Sequence, residues 1–320
     1  MMKHINLKHY KLFLFALLCT MLWGSAIPSI KLGYLFFEIS STDAADLLLF
    51  AGIRFLGAGL LILIPYFILT KGTAKSVNRE LLRHSTVLGL IQTAGQYFFM
   101  YIGLAYTTGV NASVLNAIGS LLYILLARII YRDEKLSLAK WSGCVIGFSG
   151  ILMNSLVSQK LGMLSWRGDA LILIANVCVA VGFLYSKHGV KNTNAFLLTG
   201  TQMGIGGTIL LVIGLLWGGK LPTVTVKGLL LLLYLMAVSA VAFSLWTILL
   251  RDYPSALVGM FNFLTPIFGS IFSYVFSRMG LLDEMSAFTM YTLLALVCVA
   301  LGIFLSSFKR VSKSDHEKSL

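Results

Sequence analysis

Acidic residues are scarce in this chain, and none stands in the middle of an apolar stretch. Asp and Glu number 12 against 25 Lys and Arg in 320 residues, giving a net charge of +13. A relay of buried carboxylates is therefore not visible. Histidine is missing from the same stretches: His4, His9, His84, His188 and His316 all fall in or beside polar loops and tails. That removes the base needed beside a Ser or Cys nucleophile, and the imidazole needed to hold a metal at depth. No HExxH and no Walker sequence occurs, so no catalytic metal and no direct use of ATP is indicated, and no cofactor is expected. The four cysteines (Cys19, Cys144, Cys178, Cys298) lie inside apolar segments with no CxxC pair. They read as small buried hydrophobes. Charged residues make up 12% of the chain, about half the ~25% of a soluble domain.

What fills the chain instead is apolar. Hydrophobic residues are 58% and the mean hydropathy is +0.88. Ten segments approach the ~20 residues that cross a bilayer as a helix: 12–34, 47–69, 86–106, 110–130, 139–157, 169–187, 195–217, 227–250, 255–277 and 287–308. No stretch between them is long enough for a separate domain, so the expected fold is all-α and integral to the membrane. The first segment follows Lys3, Lys8 and Lys11 but runs well past the ~7–15 residues of a signal-peptide core, and is expected to stay as the first span. The basic excess sits in short loops and tails, which speaks for a lipid surface and against nucleic acid. With the N-terminus inside, 18 Lys and Arg lie on the cytoplasmic side. Five (Lys160, Arg167, Lys220, Lys227, Arg278) lie on the other. This positive-inside bias assigns both termini to the cytoplasm.

The second half echoes the first. Residues 49–54, LFAGIR, align with 197–202, LLTGTQ, so Arg54 matches Gln202. Residues 114–122, VLNAIGSLL, align with 260–268, MFNFLTPIF, so Asn116 matches Asn262 and Ser120 matches Pro266. Asp133-Glu134 and Asp283-Glu284 follow the fourth and ninth segments, and Lys31 and Lys187 close the first and sixth. The shared order and near-constant offset point to a duplicated five-span unit, 1–157 and 158–320. An odd number of spans turns the second copy upside down.

On these residues the chain resembles the drug/metabolite transporter superfamily, and specifically its EamA-type ten-helix members. The resemblance is carried in order by Trp23-Gly24-Ser25, by Arg54-Phe55, and by Gly103-Leu104-Ala105-Tyr106-Thr107-Thr108 leading to Glu134. It continues through Gly168-Asp169, Trp246 and Thr265-Pro266. It covers roughly 12–308. The chain departs from the pattern at Ser120, where the family usually has the proline that survives as Pro266, and at Val179, where an aromatic is frequent. The resemblance implies ten transmembrane helices as two inverted five-helix repeats around a central cavity. It also implies alternating access and a small polar metabolite as cargo, typically an amino acid or related compound and more often exported. The fifth and tenth spans would lie at the periphery and could support a homodimer in a bacterial-type cytoplasmic membrane. Three other readings stay open: an uptake carrier for an organic cation such as choline, a non-transporting receptor or scaffold, and a membrane-embedded enzyme.

Candidate substrate-binding residues follow from polarity inside the spans. Arg54 is a cation about seven residues into its segment. It fits a substrate carboxylate or phosphate, or else snorkels to Glu38, Asp43 or Asp46. Gln92 and Gln96 sit four residues apart on the third span, with Tyr97 and Tyr101 adjoining. Gln202 and Asn176 extend the set. Asn116 and Asn262 each stand one turn before Ser120 or Pro266 and serve either a cavity wall or interhelical hydrogen bonds. Trp23 and Trp246 lie nearer mid-span than an interfacial belt would place them. Pro266 removes an N–H and frees a carbonyl one turn earlier, at Asn262, which marks a hinge. The pairs Gly143/Gly147 and Gly200/Gly204 have the spacing of close helix contacts.

Overall fold

The computed structural model describes residues 2–71, 77–107, 109–131, 138–158, 165–191, 193–220, 224–282 and 290–307. Among them the regular structure is wholly helical, as a backbone in lipid requires, since only helices or closed barrels satisfy every peptide group there. Ten rods follow one another: α1 Met2–Phe36, α2 Ala44–Leu69, α3 Arg79–Tyr106, α4 Gly109–Ile130, α5 Leu138–Ser158, α6 Trp166–Gly189, α7 Ala195–Leu216, α8 Val226–Asp252, α9 Ser255–Arg278 and α10 Met290–Ser307. Seven are long and apolar enough to cross a membrane, and α4, α5 and α10 contain the shorter apolar runs Val114–Ile130, Trp141–Met153 and Met290–Ile303. The acidic loop pairs Asp133-Glu134 and Asp283-Glu284 lie outside the described residues.

Helix starts are written locally. Asp43, Asn78, Ser165, Asn194 and Thr225 each cap the helix that follows by accepting from one or two of its first backbone N–H groups. These are the side chains that best satisfy the orphan donors of a first turn. Two rods are interrupted. A π-helical turn occupies Gly89–Gly95 in α3, and α9 breaks at Asn262–Phe263. Pro266 lacks an N–H, so the Asn262 carbonyl takes the Thr265 N–H at 3.1 Å instead. The freed carbonyl is thus satisfied by a tighter turn.

The principal packing partners are α2 with α7, α5 with α10, α1 with α8 and α9, and α6 with α3 and α4. α3 also meets α7, α2 meets α8 and α4 meets α9. Exchanging α1–α5 for α6–α10 in order turns each of these contacts into another or into itself. The largest contacts run between the two halves, so the halves are interleaved. The α2–α7 and α5–α10 crossings are close. A Cβ on Gly52 would lie 2.4 Å from the Leu211 nitrogen, and one on Gly143 would lie 2.3 Å from the Gly302 carbonyl oxygen.

Both ends of the bundle are tied at corresponding places. Where α8 ends against the start of α1, Lys11 Nζ meets Asp252 Oδ2 at 2.7 Å, and Arg251 Nε donates to Asp252 Oδ1 at 2.8 Å. Lys187 at the end of α6 donates to the Tyr253 carbonyl at 3.2 Å and stands 4.9 Å from the Tyr131 ring. At the opposite end, where α3 ends against the start of α6, the Thr107 hydroxyl donates to Asp169 Oδ1, and Asp169 Oδ2 takes the Ser165 N–H at 3.0 Å. Thr107 (φ −127°, ψ 164°) and Tyr253 (φ −133°, ψ 161°) leave their helices with nearly the same backbone. The Lys11–Asp252 pair is partly exposed, and such pairs contribute only ~0.2–1 kcal/mol. Lys11→Met or Asp252→Asn is therefore expected to change thermal stability in detergent by no more than about 1 kcal/mol. A loss of several kcal/mol would make the pair a pillar of the fold.

Candidate functional site

Arg54 enters from α2, ten residues after Ala44, a depth of about 15 Å at 1.5 Å per residue. It is 2% exposed. Its Nε donates to Ser239 Oγ at 3.1 Å, and that hydroxyl donates in turn to the Leu235 carbonyl at 3.0 Å. The guanidinium carbon lies 5.0 Å from the Phe55 ring centroid, and Nη1 is buried with no partner. Tyr34, Tyr97 and Tyr101 all lie within its field, and the buried Tyr101 hydroxyl faces both Tyr34 and the Arg54 guanidinium. Phe55 and Tyr97 pack at 4.3 Å with planes tilted by 45°, and Tyr97 and Tyr101 approach at 6.0 Å. In this conformation Arg54 does not snorkel to Glu38, Asp43 or Asp46: it stays enclosed and its hydrogen bond goes to Ser239 of α8.

One turn further along α8 from Ser239 begins an aromatic cluster. Trp23 of α1 packs on Trp246 at 4.9 Å, on Phe243 at 5.3 Å and on Phe183 of α6 at 6.0 Å. Tyr123 of α4 closes on Phe183 at 5.8 Å. Four helices thus meet through rings. The indole Nε1 atoms of Trp23 and Trp246 are both buried and unpartnered. An unmade buried donor costs about 1–3 kcal/mol, so these atoms need a reason to be there.

The other candidates divide by the same criterion. Asn176 Nδ2 donates to Asn116 Oδ1 at 3.1 Å and to the Ile172 carbonyl at 3.0 Å. Asn262 Nδ2 donates to Ser120 Oγ at 3.0 Å. Gln202 Oε1 accepts from Thr93 Oγ1 at 2.8 Å. In this conformation Asn116, Asn176, Gln202 and Asn262 therefore bind helix to helix. Gln92 is buried, and its side chain lies over the face of α6 at Gly182, where a Cβ would come within 2.6 Å of it. Gln96 keeps an unpartnered buried Oε1. The π turn between these two glutamines rotates the face that four-residue spacing gives in a regular helix.

Sequence reasoning missed Ser239, Tyr34, Phe183 and Phe243. Ser239, Phe243 and Trp246 occur at positions i, i+4 and i+7 of α8, the one signal that could have placed the serine and the phenylalanine on the face of the tryptophan.

Comparison with known proteins follows the same chain from end to end. A model of the EamA-like transporter family matches it twice, over residues 11–156 and 166–308. An uncharacterized transporter of Archaeoglobus fulgidus is 26% identical over 308 residues, covering 94% of this chain and 98% of its own. The uncharacterized transporter YyaM of Bacillus subtilis is 28% identical over 213 residues, 65% of this chain and 66% of its own length, just under two thirds. The uncharacterized inner membrane transporter YedA of Escherichia coli K12 is 26% identical over 249 residues, with 77% and 76% covered. A solved crystal structure with 16% sequence identity superposes with a TM-score of 0.73 over 92% of this chain and 95% of that one. At that identity the likeness concerns the fold alone.

Proposed function

We propose a function from one premise: the chain belongs to the EamA-like transporter family, and is thus a multi-pass membrane protein and a transporter of that type. The reading is a secondary transporter for a small polar metabolite bearing a carboxylate, an amino acid or related acid, moved by alternating access and in the export direction. The two inverted units are 1–157 and 158–320, and both termini lie on the cytoplasmic side. One observation carries it. Arg54 is a buried cation with an unmade Nη1 donor and a serine for its hydrogen-bond partner. An ionised side chain at mid-membrane costs at least ~2.5–3.5 kcal/mol on insertion scales. A carboxylate arriving in the site supplies the counter-charge and a second hydrogen bond to the guanidinium fork.

The mechanism uses the exchange relation between the halves. In a two-fold arrangement, opening one end while closing the other swaps the two halves' conformations. The ties at Lys11–Asp252 and Thr107–Asp169 stand at related positions, so each would release in turn. Pro266 is the proposed hinge. Its break is in α9 only, because Ser120 leaves α4 continuous. Pro266→Ala is expected to restore the helical bond to Asn262 and stabilise the protein by up to about 3 kcal/mol, the cost of an interior proline. Transport in proteoliposomes should slow at the same time. Faster or unchanged flux in the stabilised variant would remove the hinge.

The test of the reading itself is thermal stabilisation of purified protein by amino acids, organic acids, amines and nucleosides, followed by proteoliposome flux of the hits. A bound ligand raises stability with concentration by mass action. Carboxylates are expected to stabilise wild type and to fail with Arg54→Gln. Stabilisation by amines or nucleosides alone would overturn the reading.

A further inference from the structure

The polar atoms left over in the middle of the bundle are unbalanced. Among the described residues, Arg54 Nη1, Trp23 Nε1 and Trp246 Nε1 can only donate, the Ser244 hydroxyl can do either, and Gln96 Oε1 alone can only accept. The fixed charge is unbalanced in the same sense. Among the described residues the buried side chains include two that carry a fixed charge, Arg54 and Asp169. Asp169 belongs to the first turn of α6, where both its oxygens are taken, one by Thr107 and one by the Ser165 N–H. Among the described residues the bundle centre thus holds one positive charge with no buried carboxylate to offset it, and more spare donors than spare acceptors.

Building on the reading of Arg54 as the carboxylate site, we infer that the preferred cargo is a net anion without an ammonium group. The chemical class is an amphipathic 2-oxo or 2-hydroxy acid, not the zwitterionic amino acid of the same skeleton. A monoanion brings the buried charge to zero. A zwitterion leaves it at one, and it adds an ammonium whose three donors find a single pure acceptor. Cation–π contact does not rescue the ammonium, because it needs an open ring face. Here Trp23 and Phe183 turn faces on one another with planes 29° apart, and the tilted Trp246 ring lies against both. What the cluster has to offer is its two indole N–H groups, which suit a carbonyl or hydroxyl oxygen. The rings suit the apolar body. Ser239 and Trp246 are seven residues apart on α8, about 10 Å along the axis, a separation that matches a carboxylate at one end of the cargo and a ring or branched chain at the other.

Skeleton-matched sets test it: phenylpyruvate, phenylalanine and phenethylamine, and 4-methyl-2-oxopentanoate, leucine and isopentylamine. Binding is measured by calorimetry on the full-length protein in detergent, and counterflow is measured in proteoliposomes. Each oxo acid is expected to bind about tenfold or more tighter than its amino acid, the amines not at all. Arg54→Gln should cost the oxo acid at least about tenfold, one charge-assisted hydrogen bond. Benzothienylalanine in place of Trp246 keeps the fused ring and removes only the N–H donor, and should cost the oxo acid several-fold; it carries the test if Arg54→Gln does not fold. Amino acids binding as well as oxo acids, with both lost in Arg54→Gln, would overturn this inference and leave the carboxylate site standing. Binding of amines alone, or acid binding indifferent to Arg54→Gln, would overturn both. Silence of every compound with wild type at millimolar concentration would overturn the inference, and leave Arg54 to a carboxylate of another shape.

Discussion

Arg54→Gln is expected to abolish most cargo binding while making the empty protein more stable. The two effects have one cause. Arg54 is fully enclosed, with the Ser239 and Tyr101 hydroxyls beside it and, among the described residues, no carboxylate, so the empty protein carries the desolvation of an uncompensated charge. Glutamine removes that charge and can still donate to the serine. Thermal unfolding of the ligand-free variant should therefore shift upward. The bound state loses one or two charge-assisted hydrogen bonds worth about 1.5–3 kcal/mol each. That corresponds to about 10- to 100-fold or more in affinity for a carboxylate. Arg54→Lys separates charge from shape. It keeps the cation but loses the planar fork, and its affinity should fall between wild type and glutamine. Ser239→Ala tests the support, since it frees Nε from the bond that orients the guanidinium. Should Arg54→Gln bind its acid unchanged in a well-folded state, the arginine is structural and the site lies elsewhere.

The second large effect is on stability and comes from the α2–α7 crossing. A Cβ on Gly52 would sit 2.4 Å from the Leu211 nitrogen, and one on Gly207 would sit 2.3 Å from the Leu56 nitrogen. Both obstacles are backbone, so neither can swing aside. Lipid tails are as apolar as the helix surface, and helix pairs in membranes depend on such close approach. Gly52→Ala and Gly207→Ala are each expected to cost about 1–3 kcal/mol by overpacking, and valine at either place more. Gly204 is the control within the same helix. A Cβ there meets nothing within 4 Å, so Gly204→Ala should be neutral or should stabilise by up to ~1 kcal/mol through helix propensity. Thermal unfolding in detergent ranks the three. Equal behaviour of Gly52→Ala and Gly204→Ala would mean that the crossing is not as close as its geometry implies.

The pair Gly200/Gly204 also shows how far spacing can be read. Both glycines belong to the α2 contact, but in different ways. Gly200 is crowded by Leu63, whereas Gly204 lends its backbone to the approach of Gly59, whose own Cβ would lie 2.7 Å from the Gly204 nitrogen. Spacing alone identifies a close face and does not say which member tolerates a methyl group. The asparagines behave similarly. Their matching places were visible in the alignment of 114–122 with 260–268. That Asn116 meets Asn176 while Asn262 meets Ser120 required the helices to be in position.

The sequence alone determined the class of structure, the number of rods and the correspondence between the halves. Apolar length decides spanning, a peptide backbone in lipid has almost no choice but to coil, and duplicated residues keep their order. The tertiary structure alone decided which polar groups are spent and which are spare. Arg54 finds Ser239 185 residues away, the indoles of Trp23 and Trp246 find each other and no acceptor, and α3 carries a π turn where its register looked regular. The physical reason is that lipid and protein interior are both apolar. A membrane helix therefore has little amphipathic stripe to announce its inner face, and only packing reveals where its few polar atoms end.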